Sequence, residues 1–350
     1  MKKVLFMISV AAVAFTSCSN ESTEYVGSGP EQKEIAFMPL AQKATRAADT
    51  KQYAIDGIGF PTELNMYVAA YQVEPTPAGN FFTGTQFVYD NAGGTGASSG
   101  KWGGATPRYW PLSPCYINFL AYANVTGTAI FGDQLVPAEA SASKAVITQS
   151  DNSSAQTDLM YAIGNGYVTQ NATTSALTFP TKVDMQFKHA QAWMDFYVKA
   201  NSPTETAITV NSITLKGARY AGTYTITHTN YDAKSGQTVA GTWSALAAAK
   251  DATVPGWSAT ALSTTNTQVS HGLLVVPDED AASNDWTSFV ISYTLGGKNY
   301  NYEYNAPAAP AASLSQATHY VFNITFSLHE IFVEATVADW TDATATGVGI

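Results

Sequence analysis

His329-Glu330 opens like the His-Glu-x-x-His signature, in which two imidazoles one helical turn apart share a zinc ion and the glutamate serves as base. Position 333 is Val, and the segment alternates apolar and polar residues as a strand does, so the second ligand and the shared helical face are both missing. Gly100-Lys101 invites the phosphate-loop pattern G-x-x-x-x-G-K-[ST], but Thr95 stands where its first glycine belongs and Trp102 where its hydroxyl belongs. A G-x-S-x-G nucleophile elbow is absent. His189, His228, His271 and His319 stand singly on strands or strand ends, without a carboxylate at ligand spacing, and read as structural residues. Cys115 follows Ser113-Pro114 and has no cation beside it to stabilise a thiolate, so it reads as a small buried hydrophobe. The acidic residues show no catalytic pairing. The expectation is a protein that is not an enzyme and has no catalytic residue, no metal site and no cofactor.

Cys18 is different. Lys2 and Lys3 precede the apolar run 4–15 (VLFMISVAAVAF), the length of a signal-peptide core and too short to span a bilayer. Thr16 and Ser17 then lead into the cysteine, a sequence that resembles the lipobox of bacterial lipoproteins, whose thiol is acylated and becomes the new N-terminus. Residues 1–17 are therefore read as signal peptide and Cys18 as the site of lipidation. Residues 19–34 are polar, with Gly and Pro, as suits a tether. No later stretch reaches ~18 apolar residues, leaving acyl chains as the membrane attachment.

The elements that would position any site are strands. The chain has 350 residues, with 17 Lys+Arg against 27 Asp+Glu and a net charge of −10, which argues against a nucleic-acid partner. Hydrophobic residues make up 45% and charged residues 13%, so a packed core is expected and disorder is not. Short alternating runs separated by turn residues occur at 66–71, 116–123, 183–187, 194–198, 208–215 and 224–228. Residues 320–328 alternate most cleanly, with Phe322, Ile324 and Phe326 on one face; after Glu330 the apolar phase shifts, which predicts a bulge or bend. Residues 243–251 (WSALAAAKD) are the one helical expectation. Residues 91–107 read as a Gly/Ser loop beside Trp102, Tyr109 and Trp110; these aromatics either enter the core or form an exposed stacking platform for glycans. A change in composition near 158–180 suggests the boundary between two sandwich domains, together all-β.

Three groups of residues carry a resemblance. Residues 34–38 (EIAFM) precede Ala44-Thr45-Arg46-Ala47-Ala48. Residues 108–125, 158–162 (DLMYA), 185–190 (MQFKHA) and 271–277 (HGLLVVP) follow, and the chain closes with 318–325 (THYVFNIT) and 337–340 (VADW). In that order they resemble the fimbrillin-like family of Bacteroidales, the subunits of type V pili. The resemblance implies two transthyretin-like β-sandwich domains in tandem, here 47–178 and 179–350, after a tether and removable strand at 18–46. It implies transport to the outer membrane as a lipoprotein, cleavage between Arg46 and Ala47 by an arginine-specific protease, and release into an extracellular fimbrium. Ile35 and Phe37 would leave with the removed strand. A donor segment from a neighbouring subunit, carried in this chain by Val337, Trp340, Val348 and Ile350, would take its place by donor-strand exchange. The implied partners are other fimbrial subunits, the protease, and a host or bacterial surface receptor or glycan. The short tail after Trp340 leaves stalk and tip open. The alternative is an anchored surface lipoprotein that binds glycans through Trp102, Tyr109 or Trp110.

Overall fold

The structure is a computed structural model. It describes residues 32–41, 66–75, 78–90, 101–104, 107–123, 128–130, 142–154, 156–203, 207–255, 259–268, 272–278, 285–307, 313–327 and 330–339. Among these the protein is all β, without an α-helix. The strands of the first half are β1 (Phe37–Ala41), β2 (Met66–Glu74), β3 (Gly79–Asp90), β4 (Lys101–Gly104), β5 (Cys115–Ala123), β6 (Thr128–Ile130), β7 (Ala142–Gln149), β8 (Met160–Gln170) and β9 (Leu177–Thr178). Then come β10 (Val183–His189), β11 (Ala192–Ala200), β12 (Ile208–Ala218), β13 (Gly222–Thr229), β14 (Thr238–Ser244), β15 (Lys250–Thr253) and β16 (Thr260–Ala261). The last are β17 (Thr267–Gln268), β18 (Leu273–Val275), β19 (Ser288–Leu295), β20 (Lys298–Asn305), β21 (Thr318–Phe326) and β22 (Ile331–Asp339).

The first sheet runs β10-β1-β4-β3-β2-β5-β8-β9, and an additional β10–β8 pairing returns it on itself as a ring. Alternation decides what lies inside: Val183, Met185 and Phe187 of β10 point inward, as do Ile117, Phe119 and Ala121 of β5, and they share one core with Phe87, Trp102 and Trp110. The outer face of β5 and β8 is covered by a second sheet, β14-β13-β7-β6, through Leu120, Tyr122 and Tyr161 packed on Ile147, Tyr224, Ile226 and Trp243. With both faces covered, β5 has no polar side, which is why 115–123 is nearly all apolar. Beyond the ring, the sheets β17-β11-β21-β22 and β15-β12-β19-β20 face each other as a sandwich. Phe196, Phe289 and Phe322 meet in its core, with Phe289 edge-on to the other two at 5.2 and 5.3 Å.

Four expectations change. Residues 243–251 are not a helix: Trp243 belongs to β14 with its ring in the core, Ala245 takes a left-handed φ of 46°, and Lys250 begins β15. A nine-residue stretch nucleates poorly unless packing favours it, and here the packing favours strands. Residues 101–104 of the Gly/Ser loop form β4, paired with β3. The phase shift after Glu330 is a hairpin, with Ser327 N–H donating to the Glu330 carbonyl across the turn, so β22 folds back antiparallel on β21 instead of continuing it. Strands also interleave across the 178/179 division: β10 completes the first ring, and β13–β14 pair with β6–β7.

Candidate functional site

The segment that enters the ring begins at Lys33. Its carbonyl accepts from Trp110 N–H at 2.9 Å and Ile35 N–H donates to Arg108 at 2.7 Å, so Glu34 and Tyr109 form an antiparallel bridge. Past Ala36, whose carbonyl accepts from Val183 N–H, the backbone turns alongside β10 and pairs with it in parallel from Phe37↔Val183 to Ala41↔Phe187. On its other side β1 meets β4 through a single position, Phe37↔Trp102. Pro39 lies mid-strand, without an N–H to donate to either neighbour.

Two side chains anchor the segment. Ile35 and Phe37 are wholly buried, and the Phe37 ring stands edge-on to Phe87 at 4.7 Å and to Phe119 at 5.2 Å. The ring sheet is thus closed by a strand held firmly on one edge and lightly on the other. Its other sparse seam is β8–β10, paired at Tyr161↔Lys188 and Met160↔His189. There Gly164 of β8 is required, because a Cβ would come within 2.3 Å of Met185 Sδ and 2.7 Å of the Asp184 carbonyl.

The aromatic platform is not formed. Trp102 and Trp110 are each 1% exposed, and the Trp110 ring stands edge-on to Phe119, so neither can offer a face to a sugar. Tyr109 is half-buried in its bridge with Glu34. Cys18, Arg46, Ala47, Trp340, Val348 and Ile350 lie outside the described residues, as do His271 and His329. Val337 lies on β22 and is 58% exposed.

Sequence reasoning missed two buried histidine–carboxylate pairs. His189 Nδ1 donates to Asp158 at 2.8 Å, joining the DLMYA and MQFKHA segments, and His319 Nε2 lies 2.9 Å from Asp195 with its ring stacked on Trp193. Both span long sequence distances, and spacing carries no trace of them. Beside Asp195, Gly272 has a φ of 70° and leaves no room for a Cβ, which would fall 2.5 Å from Asp195 Oδ1. These pairs sit within packed sheets, where they tie strands together. His228 is buried without a charge partner, and desolvation lowers its pKa to about 4. Burial pushes the Cys115 thiol up. Among the described residues, no group of three or more His, Cys, Asp or Glu side chains could hold a metal ion.

A family model described as fimbrillin-like matches residues 45–340. No curated protein sequence is similar enough to match. Among solved structures, a proposed cell adhesion protein from Bacteroides ovatus aligns with a TM-score of 0.50 and 11% identity, over 89% of this chain and 99% of its own, which shows a shared fold. A proposed cell adhesion protein from Bacteroides uniformis gives 0.48 and 16%, over 88% and 98%. The tip fimbrial protein Mfa3 from Porphyromonas gingivalis, with a C-terminal truncation, gives 0.41 and 11%, over 88% and 100%.

Proposed function

The chain belongs to the fimbrillin-like family, and from that premise we propose that it is a fimbrial subunit exported as a lipoprotein on Cys18 and made competent for assembly by cleavage after Arg46. It works by joining other subunits, not by catalysis. A cut between Arg46 and Ala47 separates β1 from everything that follows, and Cys18 with its acyl chains goes with the removed piece.

The observation that carries this reading is the seating of β1, a core strand whose hold is one-sided. Once it leaves, the β10 edge has unpaired backbone groups and Val183, Met185 and Phe187 lose their cover. Burying Ile35 and Phe37 contributes roughly 1.5–3 kcal/mol each, so an opened ring strongly favours any apolar strand that can take their place. Strand addition satisfies the backbone and the pockets together. The donor is the C-terminal segment of a neighbouring subunit, β22 with Trp340, Val348 and Ile350. A surface receptor or glycan is the partner of the finished fimbrium.

Limited digestion of the folded chain with an arginine-specific protease tests the proposal. The expected result is one early cut after Arg46 and a stable product that associates; larger assemblies favour stalk over tip. An uncut Arg46, or a cut product that stays monomeric, overturns it.

A further inference from the structure

On the outside of the ring, the β8–β10 ladder is paired at one end, Tyr161↔Lys188 and Met160↔His189, and a groove of about 900 Å³ runs along the two strands, walled on its far side by the start of β14. The outward residues of both strands face it. We propose that this groove binds a neutral oligosaccharide, with Tyr167 as its stacking surface.

Tyr167 is 57% exposed on a strand whose alternate residues are core, an unusual position for a large ring. Its plane is fixed: it lies parallel to Tyr116 at 7° with centroids 6.3 Å apart, and Tyr116 is in turn held by its hydroxyl donating to the Lys234 carbonyl at 2.8 Å. An ordered aromatic face suits the C–H side of a pyranose ring and loses little freedom on binding.

The polar lining selects the ligand further. Asn165 from β8 and Asp184, Gln186 and Lys188 from β10 are exposed along the groove, with Gln237 on the opposite wall. Amides and a carboxylate beside an ammonium group match the mixed donor and acceptor demand of hydroxyls. Asp184 stands between Lys182 and Lys188, a mixed set with one net positive charge, so a charged comparator is needed to separate a neutral sugar from a polyanion; Ile163, Phe179, Pro180 and Val239 add apolar surface among the polar groups, as a sugar's C–H faces require. The volume falls within the range of ligand clefts, about 300–1,000 Å³. Every strand of the groove follows Arg46, so cleavage would leave it in place.

This site deepens the fimbrial reading by naming what an adhesive subunit holds, but binding needs only one folded chain. Its failure would leave strand exchange standing, and a failure of strand exchange would not touch it. The test is calorimetric titration of the purified chain, without its signal segment, with yeast mannan, laminarin and chitotetraose, using heparin as a charged comparator. Saturable binding of at least one neutral sugar at millimolar or lower concentration is expected. Tyr167→Ala should weaken it about tenfold, Tyr167→Phe should retain it, and Gln186→Ala should weaken it by a few fold. Tyr300→Ala, at an exposed tyrosine of β20, should change nothing. Thermal melting confirms that each variant is folded. Absence of saturable binding to all three neutral sugars, equal binding by a folded Tyr167→Ala, or tighter binding of heparin would overturn the proposal.

Discussion

The first and last strands of the structure are built in opposite ways. β1 lies inside a sheet, between β10 and β4, and its segment contributes two wholly buried side chains to the ring core. Among the described residues, β22 lies at a sheet edge, pairs with β21 alone, and leaves Phe332 49% and Val337 58% exposed. Losing the β1 segment removes two wholly buried side chains from a core, whereas losing β22 uncovers the partly buried Ile331, Val333 and Ala335 contacts at the rim of a core whose centre, Phe196, Phe289 and Phe322, belongs to other strands. The proposed exchange would draw on this asymmetry: the place vacated by β1 is more costly to leave empty than the edge position of β22.

The most direct way to break the comparison is Phe37→Ala in the uncleaved chain. It removes the ring that fills the space between Phe87 and Phe119 and should cost about 3–5 kcal/mol in urea unfolding. A loss below about 1 kcal/mol would mean that β1 is no core strand. Next comes the sheet that joins the two regions. His228 on β13 is neutral when folded because burial lowers its pKa to about 4, while the unfolded chain takes up a proton near 6.5. The unfolded state therefore binds more protons between these values. Stability should be complete above about pH 6.5 and fall by up to ~3 kcal/mol as pH drops toward 4. His228→Asn should flatten that part of the profile, read from urea midpoints across pH.

Two smaller effects sharpen the contrast. Gly164→Ala forces a Cβ against Met185 and the β10 backbone at the sparse β8–β10 seam and should cost about 1–3 kcal/mol in thermal or urea unfolding. Val337→Ser on β22 should stay within about 0.5 kcal/mol in the same assay. If Val337→Ser costs as much as Phe37→Ala, the edge strand is not loosely seated and the comparison fails.

Much of this was legible. The alternation at 183–187 and 320–326 announced strands and their buried faces, and both are as read. Two pairings were not legible, because they depend on residues far apart: Phe37 with Val183, and Asp158 with His189. Alternation reports which face of a strand is buried but not what lies beside it. Trp102 shows the same limit, since a tryptophan after a Gly-rich run looks the same in sequence whether it faces water or fills a ring. The Ala-rich segment at 245–249 carried a local helical preference that the neighbouring strands overrode. The groove at Tyr167 was hidden for a different reason: its ring belongs to an ordinary alternating run, and only the short β8–β10 ladder, paired at Tyr161 and Met160, leaves it beside a groove.

The interleaving of strands also governs when the chain can fold. β7 pairs along its whole length with β13, and the ring is closed only after β10 has been placed, so a chain ending at residue 178 would hold an open ring and a sheet missing its central partner. Pairings of such long sequence separation form late, because a large loop must close before any contact rewards it. A polypeptide threaded through a membrane N-terminus first would therefore stay unfolded for most of its passage: the ring and its covering sheet could be completed only once residues up to Ser244 had emerged, and β11 would find its partner β21 later still.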